Sequence, residues 1–153
     1  MARVPEIEIR KANRRDLEAI VELLRRDSIT GAPAEPGLSA AQIEAFDTIA
    51  AHPDNEIIVA TLDGEVVATL QLTFIPGLTF QGAWRAQVEG VRVRDDLRSR
   101  RIGTRLIEWA VRRARERGCR MVQLTSNNHR VEARRFYERL GFTASHTGMK
   151  LYL

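Results

Sequence analysis

Apolar positions along this chain recur with two different periods. Ile7-Glu8-Ile9-Arg10 alternates and predicts a first strand. Leu17, Ile20, Val21 and Leu24 then follow helical spacing, with Asn13 placed to cap a helix starting near Arg14. Thr30–Gly37 is rich in Gly and Pro and reads as a loop. Ser39 starts a second helix, with Ile43, Phe46, Ile49 and Ala50 inward, and His52-Pro53-Asp54-Asn55 ends it. Ile57–Leu62 and Glu65–Phe74 are predicted strands joined by the hairpin turn Asp63-Gly64. Pro76-Gly77 opens another turn, and Ala83–Val93 is the next strand. Arg101–Arg117 is a helix with Ile102, Leu106, Ala110 and Ala114 on one face, closed by Gly118. Met121–Thr125 is a short buried strand. Arg130–Leu140 is a helix with Ala133, Phe136, Tyr137 and Leu140 on one face, stopped by Gly141. Phe142–Leu153 is expected to supply one or two closing strands.

Hairpins therefore come first and a strand–helix–strand crossover follows. The fold class expected is α/β (α+β), one domain over residues 1–153, with a mixed, mostly antiparallel sheet flanked by helices. A length of 153 residues suits one domain. A single cysteine, Cys119, excludes an intrachain disulfide framework and any multi-cysteine zinc site, and no metal is expected. No run approaches the roughly 20 apolar residues of a membrane span, and no signal peptide is visible, so a cytoplasmic protein is expected.

Charge changes this picture. Residues 1–91 hold eight bases and fourteen acids, net −6, whereas residues 92–139 hold fifteen bases and six acids, net +9. An excess of this kind favours phosphate, on a nucleic acid or on a small ligand; solvated helix faces are the plain alternative. The placement of the densest cluster decides between them. Arg98, Arg100, Arg101 and Arg105 crowd a predicted helix N-terminus, where backbone amides lack partners and the helix dipole is already positive. Arginine there is unfavourable unless an anion relieves it, and Gly103 lets such a ligand approach the backbone.

The segment Arg98-Ser99-Arg100-Arg101-Ile102-Gly103, after a strand ending in Val93, resembles the acyl-CoA loop of the GCN5-related N-acetyltransferase (GNAT) superfamily. Arg101 stands where that pattern has its first glycine. Ala133-Arg-Arg-Phe136-Tyr137-Glu-Arg-Leu140-Gly141-Phe142 resembles the family's second signature, and the order of segments matches along nearly the whole chain. The resemblance implies acetyl-CoA as cofactor and a single GNAT domain with splayed strands at the cofactor site. It implies that Val91, Arg92 and Val93 pair with the pantetheine arm. Arg98, Ser99, Arg100, Arg101, Ile102, Gly103 and Thr104 would cradle the pyrophosphate, and Asn127 or Asn128 would contact the cofactor. Arg130 stands where the family often has asparagine.

Glu89 matches a carboxylate that many members carry on this strand, and alternation places Gln87, Glu89, Val91 and Val93 on one face. Acetyl transfer needs a neutral amine, and a free alkyl amine has a pKa of roughly 10. Glu89 is therefore the expected general base, or else a binder of the substrate cation. Tyr137 aligns with the family tyrosine placed near the CoA sulfur and is the expected general acid; packing in the core is its plain alternative. A backbone N–H near Val91 would polarise the thioester carbonyl. Cys119 reads as core, His52 as a cap or surface group, and His129 and His146 lack metal-ligand spacing. Phe74, Phe80 and Trp84 are expected to cluster around the Pro76–Gly82 turn, and Trp109 to lie in the core.

The leading expectation is direct acetyl transfer from acetyl-CoA to a primary amine of a small molecule, peptide or protein, without a membrane or nucleic-acid partner. A non-catalytic acyl-CoA sensor and an Arg-rich nucleic-acid-binding module are the alternatives. A homodimer through exposed strands is left open.

Overall fold

The computed structural model describes residues 6–25 and 36–153. The element order is β1 (Ile7–Lys11), α1 (Leu17–Leu24), α2 (Ala40–Ala51), β2 (Asn55–Leu62), β3 (Glu65–Ile75), a four-residue turn α3 (Thr79–Gly82), β4 (Trp84–Val93), α4 (Ile102–Glu116), β5 (Cys119–Leu124) and α5 (Val131–Arg139). Short 3-10 turns precede α1 (Arg14–Asp16) and follow β4 (Asp95–Leu97). Among the described residues five strands form one sheet in the order β1-β2-β3-β4-β5, in which the pairs β1–β2, β2–β3 and β3–β4 are antiparallel. The crossover through α4 to β5 makes the sheet mixed, so the α/β class is as expected. Most of the predicted loop Thr30–Gly37 lies outside the described residues. Among the described residues no helix is long and apolar enough to cross a membrane.

The chain divides into a unit ending at Gln123 and a unit of Leu124–Leu153. In the first, cross-strand rows give the sheet two distinct faces. Glu56, Leu72 and Val88 stand opposite one another, as do Ile58 with Leu70 and Phe74 with Ala86. All but Glu56 are apolar, and all are buried beside Ile102, Leu106, Ile107, Ala110 and Ala114 of α4. The neighbouring rows Asn55–Thr73–Gln87 and Ile57–Gln71–Glu89 belong to the other face. There Leu17, Val21 and Phe46 of α1 and α2 form a smaller cluster with Ala12, Leu38, Ile43 and Ile57.

Local chemistry sets these elements. Asn13 and Asp16 complete a capping box before α1, and Ser39 and Gln42 complete another at α2. Arg10 grips Asp16 with two hydrogen bonds of 2.7 and 2.9 Å. On the α4 face, Glu56 is only 2% exposed, and Arg113 donates from Nε to both of its oxygens, at 3.1 and 3.0 Å, and from Nη2 to Oε1. One turn on, Arg117 binds Asp54 at 2.6 Å and lies 4.3 Å from the Phe74 ring centroid, a cation–π contact.

Three sequence expectations are corrected. Phe74, Phe80 and Trp84 do not form a turn cluster: Phe74 is core beneath Arg117, whereas Phe80 is 70% exposed in a turn with left-handed φ at Phe80 and Gln81. Trp109 is half-buried. Phe142–Leu153 contains no strand, and Thr143–Leu153 is exposed throughout.

Removing a partner from a buried ion pair is far more damaging than removing an exposed charge. Glu56→Ala is expected to lower stability by about 3 kcal/mol, with Arg115→Ala, on the exposed side of α4, within about 0.5 kcal/mol of wild type; chemical denaturation measures both. The bond from Arg10 holds the Asp16 carboxyl below its ordinary pKa. Its stabilisation is complete above the unfolded value of about 4 and is lost as pH falls through the lower folded value. Asp16→Asn should therefore be less stable than wild type at neutral pH, with the deficit narrowing in acid, as melting curves from pH 7 to pH 2 would show.

Candidate functional site

The site begins at an irregularity in β4. Gln71 pairs with Glu89 and Thr69 with Arg92, so one β3 residue, Leu70, faces the two β4 residues Gly90 and Val91. This is a β-bulge on β4, and Gly90 takes φ +61, where a side chain would be strained. A Cβ at Gly90 would also meet Leu24 of α1 at 3.7 Å, so the end of α1 lies directly over the bulge. The extra residue reverses the alternation. Arg92 shares the face of Glu89, and Val93, opposite Ala68, turns to the other side. The expectation that Glu89 and Val93 share one face is thus overturned.

The bulge stands in a polar strip. Thr73 donates to Asn55 at 2.8 Å, and Gln123 of β5 donates to Gln87 at 2.7 Å. Arg85 reaches Thr79 at 3.0 Å. Glu89 is exposed and makes no hydrogen bond or ion pair among the described residues. Its carboxylate is therefore available to an amine beside the hydrogen-bonded strip.

Past Val93 the chain is aimed into α4. Arg94 donates from its backbone to Val67 at 2.8 Å, and buried Leu97 anchors the following turn. Ser99 and Arg101 have left-handed φ of 72° and 61° on either side of an ordinary Arg100. Such alternation turns successive amides toward one point, a concavity that accepts anions. Arg101 is the N-cap of α4 and supplies no side-chain cap, so the opening amides at Ile102, Gly103 and Thr104 remain available. Gly103 and Thr104 are half-buried and Ile102 is core.

The four arginines divide. Arg98 is paired with Asp95 at 2.8 Å, and Arg105 reaches the Ile7 carbonyl at 3.5 Å. Arg100 and Arg101 are exposed and make no hydrogen bond or salt bridge among the described residues, though the Arg100 charge is felt by Asp96. The left-handed conformation of Arg101 explains why a glycine would fit there, since the strain disfavours any side chain by about 1 kcal/mol. Open amides, the concavity and two exposed guanidiniums together fit the diphosphate of a CoA ligand.

The second unit holds Tyr137 and the two asparagines. Gly141 (φ +97) and Phe142 end α5 by donating to Glu138 and Tyr137 at 3.0 and 3.1 Å, a Schellman closure. The Tyr137 ring packs edge-on against Phe142 at 5.7 Å and Phe136 at 5.1 Å. The tyrosine ring thus has a packing role of its own. Asn127 accepts from the His129 amide at 2.9 Å through its side chain, and from the Arg130 amide at 2.9 Å through its carbonyl. It shapes the turn into α5. Asn128 is exposed.

Other candidates recede. Partial burial pushes the Cys119 thiol pKa up, against a mild opposing pull from Arg117, which disfavours a nucleophilic thiolate. His52 accepts the Asp54 amide at 3.0 Å and serves as a turn cap. The bulge is the feature that sequence reasoning missed; Gly90 within an otherwise regular strand was its one signal.

The family model for the acetyltransferase (GNAT) family matches residues 17–142. An aminoalkylphosphonate N-acetyltransferase from Salmonella typhimurium is 27% identical over 146 residues, covering 94% of this chain and 89% of that protein. Among solved structures, a transcriptional regulator from Bacillus halodurans is 43% identical with a TM-score of 0.92, covering 97% of this chain and 100% of that one. Aminoglycoside N-acetyltransferase AAC(6′)-Iy in complex with CoA shares the fold, with a TM-score of 0.83 and 18% identity, covering 100% and 98% of the two chains.

Arg101→Gly separates backbone strain from ligand binding. It should raise the stability of the ligand-free protein by about 1 kcal/mol while weakening CoA binding by up to about fivefold. Denaturation without ligand and calorimetric titration with CoA measure the two effects.

Proposed function

The chain belongs to the acetyltransferase (GNAT) family and is an N-acetyltransferase; from that premise we propose that it transfers acetyl directly from acetyl-CoA to a primary amine, with Glu89 as general base and Tyr137 as general acid. The observation that carries the reading is the uncommitted Glu89 carboxylate, set by the Gly90 bulge beside the polar strip of β3 and β4.

Acetyl-CoA, when bound, supplies the activated acyl group. The Ser99–Thr104 turn and the start of α4 hold its diphosphate through backbone amides, with Arg100 and Arg101 adding charge. Beyond the bulge, Val91, Arg92 and Val93 offer backbone groups to the pantetheine arm, and an amide near Val91 steadies the developing oxyanion. Glu89 accepts a proton from the ammonium form of the acceptor, directly or through water, leaving a nitrogen lone pair for attack. The N–C bond forms and the C–S bond breaks; the Tyr137 hydroxyl protonates the departing sulfur, and the second proton that nitrogen must lose passes through water to the tyrosinate and restores it. Much of the rate derives from holding amine and thioester together.

The acceptor we favour is a small amine that also carries hydrogen-bonding or anionic groups. The Salmonella relative is described as acting on aminoalkylphosphonates. The strip here offers Arg85, Gln71 and Gln87 on the side of Glu89, a set able to bind such a group. A nucleic-acid-binding role is the second reading, favoured by the description of the Bacillus halodurans relative. Against it, Arg113 and Arg117 of the Arg-rich helix are engaged by Glu56 and Asp54.

Free-thiol release with acetyl-CoA and a panel of aminoalkylphosphonates, aminoglycosides and peptide amines tests this reading. Amine-dependent release is expected. CoA binding without turnover on any amine would favour a sensor, and steeply salt-dependent duplex binding would favour the second reading. Glu89→Gln should lower kcat by roughly 10²-fold or more with CoA affinity unchanged. Tyr137→Phe keeps the ring against Phe142, and kcat should fall by about tenfold or more.

A further inference from the structure

Arg10, Arg25, Arg94, Arg113 and Arg117 are half-buried, and each has a carboxylate within salt-bridge distance. Arg85 does not. It is half-buried near the start of β4, and no carboxylate pairs with it among the described residues. Its Nη2 donates to the Thr79 hydroxyl at 3.0 Å, and its Nε is buried without a hydrogen-bond partner. The turn between β3 and β4 packs closely around it, so that a Cβ on Gly77 would stand 3.2 Å from Nη2. A guanidinium drawn partly out of water and held there without a counter-charge is unfavourable by itself, and an anion relieves it.

Glu89 is the complementary charge on the same face. Arg85, Gln87 and Glu89 alternate along the regular part of β4, before the bulge. At roughly 3.3 Å per residue, Arg85 and Glu89 stand about 13 Å apart along the strand, too far to pair with each other. Between them, Gln123 donates to the side-chain oxygen of Gln87 at 2.7 Å, which leaves the Gln87 amide nitrogen as a donor. Gln71, opposite Glu89 across the β3–β4 pair, makes no side-chain hydrogen bond among the described residues. The face therefore runs from a carboxylate at Glu89, through a donor at Gln87, to a cation at Arg85.

We propose that the acceptor is an elongated primary amine with an anion at its far end. Its amine lies at Glu89, its anion at Arg85, and an oxygen between them accepts from Gln87. The proposal rests on the reading of Glu89 as the residue that receives the amine. A ligand lying between the two charged groups and touching both spans about 10 Å. An extended tripeptide, at roughly 3.5 Å per residue, has that span from amine to carboxylate, with peptide carbonyls between. A long-chain ω-aminoalkylphosphonate has the same span. A single amino acid does not: its carboxylate lies beside its amine and is set against Glu89, where like charges repel.

The test measures kcat/KM with acetyl-CoA for glycine, diglycine, triglycine and tetraglycine, each beside its C-terminal amide. An ω-aminoalkylphosphonate series of matching spans runs in parallel and tells which anion is taken; a preference for either anion at the long span supports the proposal. The ratio of acid to amide should be greatest near triglycine, at about tenfold or more, and absent or reversed for glycine. Arg85→Gln should bring the triglycine ratio to about one, and Arg85→Lys should keep part of it. If Arg85 only holds the turn, its loss lowers acid and amide alike and leaves the ratio unchanged, which would overturn the proposal. A ratio independent of length in the wild type overturns it as well. Turnover confined to amines without an anion would uphold acetyl transfer and sink the anion requirement alone. CoA binding without turnover on any amine would bring down the reading of Glu89, and this proposal with it.

Discussion

A carboxylate withdrawn almost wholly from water governs the larger unit. Glu56 occupies a position in β2 whose neighbours on the same row are Leu72 and Val88, so its charge must be met from above the sheet. Arg113 meets it from α4, and Arg117 meets Asp54 one turn further on. These two clamps hold the C-terminal half of α4 across the first residues of β2. With that end pinned and Leu106, Ile107 and Ala110 seated on the sheet, the N-terminal end has little freedom of direction. The open amides and the left-handed turn of Ser99–Arg101 are consequences of where the helix must start, given where it must end.

Much of this was legible from local chemistry. Asn13 and Ser39 were recognisable as caps because capping depends on side chains within one turn. Asp63-Gly64, Gly118 and Gly141 stop or reverse the chain for similarly local reasons. Less legible were features in which one residue alters the meaning of its neighbours. A single extra residue at Gly90 reverses the alternation beyond it, so Arg92 takes the side on which a regular strand would have placed Val93. Phe74 and Phe80 look alike in sequence, but one lies in a strand row and the other at the crest of a strained turn. The tail after Phe142 has strand-like composition, but pairing is a property of two segments, and its spacing names only one.

The basic block of residues 92–139 shows how far charge counting reaches. Its net charge of +9 suggested a surface committed to phosphate. In the folded chain Arg113 and Arg117 neutralise carboxylates of β2 and the turn before it, and Arg134 and Arg135 pair with Glu138 and Glu132 along α5. What remains outside hydrogen bonds and salt bridges near the start of α4, among the described residues, is Arg100 and Arg101, a small charge in a shaped place. Such a site recognises its ligand by backbone geometry first and by side-chain charge second, which is why an arginine at a position suited to glycine is compatible with it.

The clamp on Glu56 also bears on how the chain is made. Its carboxylate and the guanidinium that neutralises it are 57 residues apart. A ribosome releases β2, β3 and β4 well before Arg113 emerges, and during that interval the sheet has one face bare and an acid set in its middle. Until then the only cation of the earlier strands within reach of Glu56 among the described residues is Lys11 of β1, at 4.0 Å, against the bidentate grip that Arg113 later supplies. Synthesis of α4 supplies the apolar lid and the closest counter-charge together. The buried acid thus ties the completion of this face of the sheet to the arrival of the helix that covers it.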